Sequence, residues 1–91
     1  NTTCMIIGEN IFAMLLEEEI FKTFTNKEIL DSKKNVEVLL AMQLESKEKV
    51  DELVLKAKQA GGIIPREPRD LGFMYDHAFD DLDGHTWEVF Y

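Results

Sequence analysis

Apolar and polar positions divide the chain into two segments around a polar stretch at residues 31–35. Before that stretch, residues 2–7 and 11–16 predict two short strands joined by a tight hairpin loop. Apolar residues at helical spacing then predict a short helix over 17–24. Because residues 31–35 contain no apolar side chain, they are predicted to be a linker. The first segment is therefore expected to fold as strand, strand, helix.

The second segment opens with an apolar run at residues 36–44 that predicts a strand. Ser46 is a suitable N-cap for an amphipathic helix predicted over 47–60, and the following glycine pair ends it. Two prolines keep residues 63–69 extended but unable to pair fully, so an edge or irregular strand is predicted. With the hairpin that closes the chain, the predicted order is strand, helix, strand, strand, strand.

The last nineteen residues, FMYDHAFDDLDGHTWEVFY, predict a β-hairpin that turns at residues 81–84. We predict a register in which Asp80 opposes His85. In that register His77 lies directly opposite Glu88. Alternation then places on one face Tyr75, His77, Phe79, Thr86, Glu88 and Phe90. The other face, predicted to be core, carries Met74, Ala78, Trp87 and Val89. The first face combines aromatic side chains with an imidazole and a carboxylate, and it is therefore the candidate binding or catalytic surface.

The composition of the chain limits the classes of protein to which it can belong. Ninety-one residues allow only a limited core, and eighteen acidic against ten basic residues give a net charge of −8. Without a basic cluster, nucleic acid is not an expected partner. No apolar stretch reaches the roughly 18–20 residues of a membrane span and no signal peptide is recognisable, so a cytoplasmic protein without a membrane partner is expected. The single cysteine, Cys4, lies in an apolar run and is predicted to be buried.

Three stretches, in order, resemble the vicinal oxygen chelate superfamily: AMQLESKEKVDELVLKAKQAGG, IIPREPRD and DDLDGHTWEVFY. That superfamily includes glyoxalase I, bleomycin-resistance proteins, fosfomycin-resistance enzymes and ring-cleaving dioxygenases. Leu82 replaces the proline that is usual in the family's turn. The resemblance implies an α+β fold in which βαβββ modules form a cupped mixed sheet with helices on its outer face. Residues 36–91 would be a complete second module. Residues 1–35 would be the linker and part of a first module whose initial strand and helix are absent.

The resemblance also implies where a divalent metal would bind. Metal-dependent members use a His or Gln on the first strand of each module and a Glu on the last. Glu88 stands at the glutamate position of the second module, while Leu39 and Met14 occupy two of the other positions. His77 and Gln43 would have to serve as non-standard ligands for a Zn, Ni, Mn or Fe ion. Because catalytic sites generally use three or more protein ligands, a metal-free protein is preferred.

We therefore expect a protein that binds a small organic molecule in an aromatic cup, as bleomycin-resistance-like proteins do. The residues expected to contact the ligand are Tyr75, His77, Phe79, Phe90 and Gln43, and the aromatic rings form either a stacking wall or packed core. One alternative is a metal-dependent lyase or transferase of glyoxalase I type, similar to lactoylglutathione lyase, with Glu88 as the catalytic group. A structural or regulatory module is another. A homodimer with exchange of modules or strands is expected, because an incomplete sheet exposes a strand edge.

Overall fold

The computed structural model describes residues 2–91 and shows an α+β protein whose described part contains two β-sheets. The chain forms two compact units, the first ending at Leu30 and the second running from Asp31 to Tyr91. In the first unit, strands β1 (Thr2–Gly8) and β2 (Ile11–Leu16) pair antiparallel. A short helix α1 (Glu18–Phe21) and a 3₁₀ turn (Lys22–Phe24) follow. The predicted order of strand, strand and helix is confirmed.

The second unit is a four-stranded mixed sheet with one long helix. Its elements are β3 (Leu40–Gln43), α2 (Lys47–Gln59), β4 (Arg69–Asp70), β5 (Tyr75–Asp80) and β6 (Thr86–Phe90). The strands lie in the order β3-β6-β5-β4, with β3 parallel to β6 and the other pairs antiparallel. The predicted order of elements is confirmed. Strand β3 is shorter than predicted, because residues 36–39 precede it without strand pairing.

Helix α2 begins at Lys47, as predicted, and ends at Gln59, one residue before the predicted end. The Ser46 hydroxyl accepts a hydrogen bond from the backbone N–H of Lys49 at 3.1 Å, which satisfies one free donor of the first turn. After the helix, Gly61 adopts φ 103°, a left-handed conformation that favours glycine. Val50 and Val54 are buried against Val89 of β6 and form the centre of the core. Burial of each valine contributes about 1.5–3 kcal/mol, an upper estimate for apolar side chains of this size.

The turn between β5 and β6 is organised by one aspartate side chain. Asp81 Oδ1 accepts the backbone N–H groups of Asp83 at 3.0 Å and His85 at 2.9 Å. The Asp81 N–H also donates to the His85 carbonyl at 2.9 Å, so both residues belong to the turn. The outermost paired residues of the strands are consequently Asp80 and Thr86. The predicted register, with Asp80 opposite His85, is wrong by one residue.

This one-residue difference separates the two groups that were predicted to face each other. His77 opposes Val89, whereas Glu88 opposes Ala78. Because successive residues of a strand point to opposite faces, His77 and Glu88 lie on opposite sides of the sheet. The side that α2 covers, here called the helix face, carries Leu40, Met42, Tyr75, His77, Phe79, Trp87 and Val89. The other side, here called the Glu88 face, carries Ala41, Gln43, Asp76, Ala78, Asp80, Thr86, Glu88 and Phe90.

The polar stretch at residues 31–35 belongs to the second unit and packs on the turn between β5 and β6. The Ser32 hydroxyl donates to the Asp83 carbonyl at 2.5 Å. A Cβ atom added at Gly84, where φ is 93°, would lie 2.7 Å from the Ser32 carbonyl. The close approach of two backbones explains the glycine at this turn.

Two further expectations concern single features. Cys4 is exposed, so the prediction of a buried thiol is wrong. Its strand belongs to a two-stranded sheet, which leaves many apolar side chains of β1 and β2 exposed. Among residues 2–91, the structure contains no helix with both the length and the apolar character that crossing a membrane requires.

Candidate functional site

Glu88 lies in the middle of the sheet, on a strand that is paired on both sides. Its direct neighbours on the Glu88 face are Ala41 of β3 and Ala78 of β5. Ala78 is buried, with 1% of its surface exposed, whereas Ala41 is exposed, so the open space beside the Glu88 carboxylate lies on the β3 side. The Glu88 side chain is 32% exposed, and its two oxygens accept no hydrogen bond from residues 2–91, although Arg66 lies within ion-pair distance. Glu88 therefore offers a carboxylate with unused acceptor capacity at the centre of this face.

Two arginines and one further acid form a charged cluster with this carboxylate. Arg66 NH2 lies 3.5 Å from Glu88 Oε2, and Arg66 NH1 lies 3.2 Å from Asp76 Oδ1. Asp76 also receives two hydrogen bonds from Arg69, from Nε at 3.0 Å and NH2 at 2.8 Å. The hydrogen bonds from Arg69, together with the charge of Arg66, hold the pKa of the buried Asp76 carboxyl below its usual value. Asp76 is therefore a negative charge that fixes both arginines.

The Arg66 guanidinium is only partly satisfied. Its NH2 atom is buried and makes no hydrogen bond to any described residue, although the Glu88 carboxylate is close enough for an ion pair. A buried donor without a partner costs about 1–3 kcal/mol. Arg66 thus stabilises the negative charge of Glu88, while the carboxylate oxygens of Glu88 remain free to accept hydrogen bonds.

These residues do not fit the metal site that the resemblance implies. Among residues 2–91, no three His, Cys, Asp or Glu side chains lie together in an arrangement that could hold a metal ion. His77, the expected second ligand, is on the opposite face. The charged group nearest to Glu88 is instead the Arg66 guanidinium, which has only N–H donors and cannot act as a metal ligand. We therefore derive no chemistry through a metal at this position.

His77 lies on the helix face and is nearly buried, with 8% of its surface exposed. Its Nδ1 atom accepts a hydrogen bond from the backbone N–H of Ala78 at 2.9 Å. Burial lowers the pKa of His77, and the positive charge of Arg66 acts in the same direction. The ring is therefore neutral at pH 7, with its proton on Nε2. This nitrogen has no hydrogen-bond partner within residues 2–91.

The structure divides the other predicted ligand contacts between the two faces. Gln43 and Phe90 form a cross-strand pair on the Glu88 face, as expected for these two residues. Tyr75 and Phe79 lie on the helix face and pack against the valine core, so the aromatic wall predicted beside Glu88 is wrong for these two rings. Ala78 is buried, as predicted for a core residue, but it pairs with Glu88 and not with Trp87. Trp87 stacks on Phe79, with ring centroids 6.4 Å apart.

A groove of about 680 Å³ runs beside His77, between α2 and the proline-containing segment at residues 64–68. Its apolar lining comes from Val54, Leu55, Ile64, Pro65 and Pro68. Tyr75 also lines it, and its hydroxyl donates to Asp51 at 2.5 Å. This hydrogen bond, with burial, raises the pKa of Tyr75 to about 12. The groove is a concave surface on the helix side of the β5 edge.

The arginine and aspartate cluster was not predicted from the sequence. A signal was present: Arg66 and Arg69 lie three residues apart in a proline-containing segment, just before a strand with one acid, Asp76, among apolar residues. Recognising the pair requires the register of β4 against β5, in which Arg69 opposes Asp76. That register is a long-range property that local patterns do not determine.

The comparisons with known proteins concern the architecture. A solved structure, that of the hypothetical protein SA1046 from S. aureus, is similar to this chain with a TM-score of 0.83 and 29% sequence identity. The similarity covers 98% of this chain and 67% of that chain. No protein-family model matches the chain. No curated protein matches it either.

Proposed function

We propose that this chain is a glyoxalase/bleomycin-resistance-like protein that binds a small organic molecule on the Glu88 face without a metal ion. The observation that carries the proposal is the Glu88 carboxylate itself, which is central in the sheet and flanked by two alanines. It is paired in charge with Arg66 but receives no hydrogen bond from any described residue. The order of strand, helix and three strands in the second unit is consistent with a βαβββ module of that superfamily.

The surrounding side chains indicate what kind of molecule would bind. Glu88 accepts hydrogen bonds, so the ligand must donate them through N–H or O–H groups. Phe90 on the same face offers an apolar ring for stacking, and Gln43 an exposed amide. An aromatic amine or amidine combines these features, and the net charge of −8 favours a cation. The metal-dependent lyase alternative has no comparable support, because Arg66 occupies the surroundings that further ligands would need.

The test uses benzamidine as the probe, titrated into ¹⁵N-labelled protein and followed by NMR. We expect amide shifts centred on Ala41, Gln43, Ala78 and Phe90. Glu88→Gln should weaken binding at least tenfold, since it removes the negative charge but keeps the volume. Glu48→Gln makes the same change of charge on α2 and serves as the matched control, with an unchanged dissociation constant.

Metal analysis of the purified protein completes the test. A stoichiometric divalent ion that is lost in Glu88→Gln would overturn the metal-free proposal. Shifts that are absent from the Glu88 face, or equal losses in the two variants, would show that this face is not the binding site.

A further inference from the structure

We propose that the groove beside His77 is a second binding site, for a small apolar molecule that carries a carboxylate. This groove, defined above by α2 and residues 64–68, lies on the helix side of the β5 edge. The Glu88 carboxylate points to the other face of the sheet. Arg66 lines the groove and also lies 3.5 Å from Glu88, but the other lining residues of the two sites differ, and this proposal does not depend on the proposed function.

The first argument comes from the histidine. His77 is nearly buried, lines the groove and has one ring nitrogen without a partner within residues 2–91. Its other nitrogen already accepts the Ala78 N–H at 2.9 Å, which fixes the ring. Nε2 is not among the buried atoms that lack a partner, so it is accessible to solvent, and a bound molecule with an oxygen acceptor would take the place of water at the Nε2–H group.

The second argument comes from the charged residues that line the groove. Two of the four are already engaged, because Asp51 accepts the Tyr75 hydroxyl and Arg66 is paired with Asp76. The other two are Lys58 and Glu67. Lys58 has no carboxylate partner within residues 2–91. All four residues keep their charge. A carboxylate in the groove would be attracted toward the two cations, Lys58 and Arg66, and repelled by the two acids, which sets its orientation.

The third argument comes from the apolar lining. Leu55 and two prolines line the groove, and Leu55 is 54% exposed. Its side chain would therefore become more buried if an aromatic ring bound there. Val54 and Ile64 extend this surface toward the core. Pockets for small molecules commonly combine such a lining with a few polar groups that fix orientation.

The probe for the test is 2-naphthoate, titrated into ¹⁵N-labelled full chain and followed by NMR. Amide shifts should concentrate at residues 54–58, 64–68 and His77. Lys58→Gln should weaken binding at least tenfold. Lys56→Gln is the matched control, since Lys56 lies on the same helix but pairs with Glu52 at 3.2 Å and does not line the groove. Its dissociation constant should stay within twofold of wild type.

Three results would overturn the proposal. The first is equal affinity for 2-naphthalenemethanol, which lacks the carboxylate. The second is equal loss in the two lysine variants. The third is unchanged binding by Leu55→Glu, an exposed substitution whose fold is checked by circular dichroism. The outcome here is separable from the benzamidine result, because each probe has its own variant and its own set of shifted amides.

Discussion

Asp76 should be the most sensitive charged residue of the second unit. Its side chain is only 7% exposed, yet it is placed in the sheet among apolar neighbours because two arginines contact it. We consider Asp76→Asn, which keeps the shape of the side chain and removes its charge. One acceptor oxygen remains, but the new amide nitrogen is a donor that faces a guanidinium.

The expected loss follows from these contacts. Three arginine nitrogens lie 2.8–3.2 Å from the Asp76 oxygens. Removing one partner of a buried ion pair costs about 3–5 kcal/mol, because the remaining charge is left uncompensated. Arg69 is half exposed and can be hydrated, which reduces the penalty. We therefore expect Asp76→Asn to lower the free energy of unfolding by about 3 kcal/mol, at the low end of that range.

Urea denaturation at pH 7 followed by Trp87 fluorescence measures this loss. Trp87 reports on the same unit, because its indole stacks on Phe79 and donates to Asp81. Asp83→Asn is the matched control, an exposed turn position where the change should be below about 0.5 kcal/mol. Arg69→Ala should cost less than Asp76→Asn, since Arg66 still pairs with the aspartate. If Asp76→Asn were as stable as the control, the cluster would be a surface ion pair and our reasoning would be refuted.

The pH dependence gives an independent check on the sign. The pKa of Asp76 is lower in the folded than in the unfolded chain, where an aspartate has a pKa of about 3.9. Its charge therefore contributes stability that is fully present above that value and is lost as the pH falls through the folded pKa. The difference in stability between wild type and Asp76→Asn should be constant from pH 7 to about pH 5 and shrink below about pH 4. A difference that grows on acidification would contradict this assignment.

Three further predictions concern other parts of the molecule. Because the pKa of Tyr75 is raised to about 12, its ring should remain neutral at pH 10.5 in a ¹³C NMR titration, and Asp51→Asn should lower that pKa. Gly62→Ala should cost about 2 kcal/mol in urea denaturation, since its Cβ would lie 2.8 Å from the Asp80 carbonyl and 2.9 Å from that of Ala57. Strand β3 pairs only with β6 among the described residues, so we propose that its free edge supports a homodimer. Sedimentation velocity that gives a monomer at 100 times the assay concentration would contradict the dimer.

The elements of the second unit were predictable because each is determined locally. Ser46 and Gly61 fix the ends of α2, and alternation along β3 places Gln43 on a known face. The register of the closing hairpin was not predictable in the same way. It depends on Asp81, whose side chain accepts two turn amides and the Trp87 indole N–H, and the turn is one residue longer than predicted, because His85 belongs to it. Several arrangements of an acidic turn satisfy the same sequence pattern.

The position of His77 shows how the register of a strand determines which groups a side chain can contact. Strand β5 pairs through Asp80 with Ile63 and through Tyr75 and Asp76 with β4. Between these contacts the chain runs through two prolines without backbone hydrogen bonds to β5, so the Ala78 N–H lacks a strand partner on that edge. The His77 ring accepts this hydrogen and is held in place by it. Because Nδ1 accepts this hydrogen bond, it is not available to bind a metal. The Nε2–H group is the one that His77 can offer to a molecule in the groove on the helix side of the sheet.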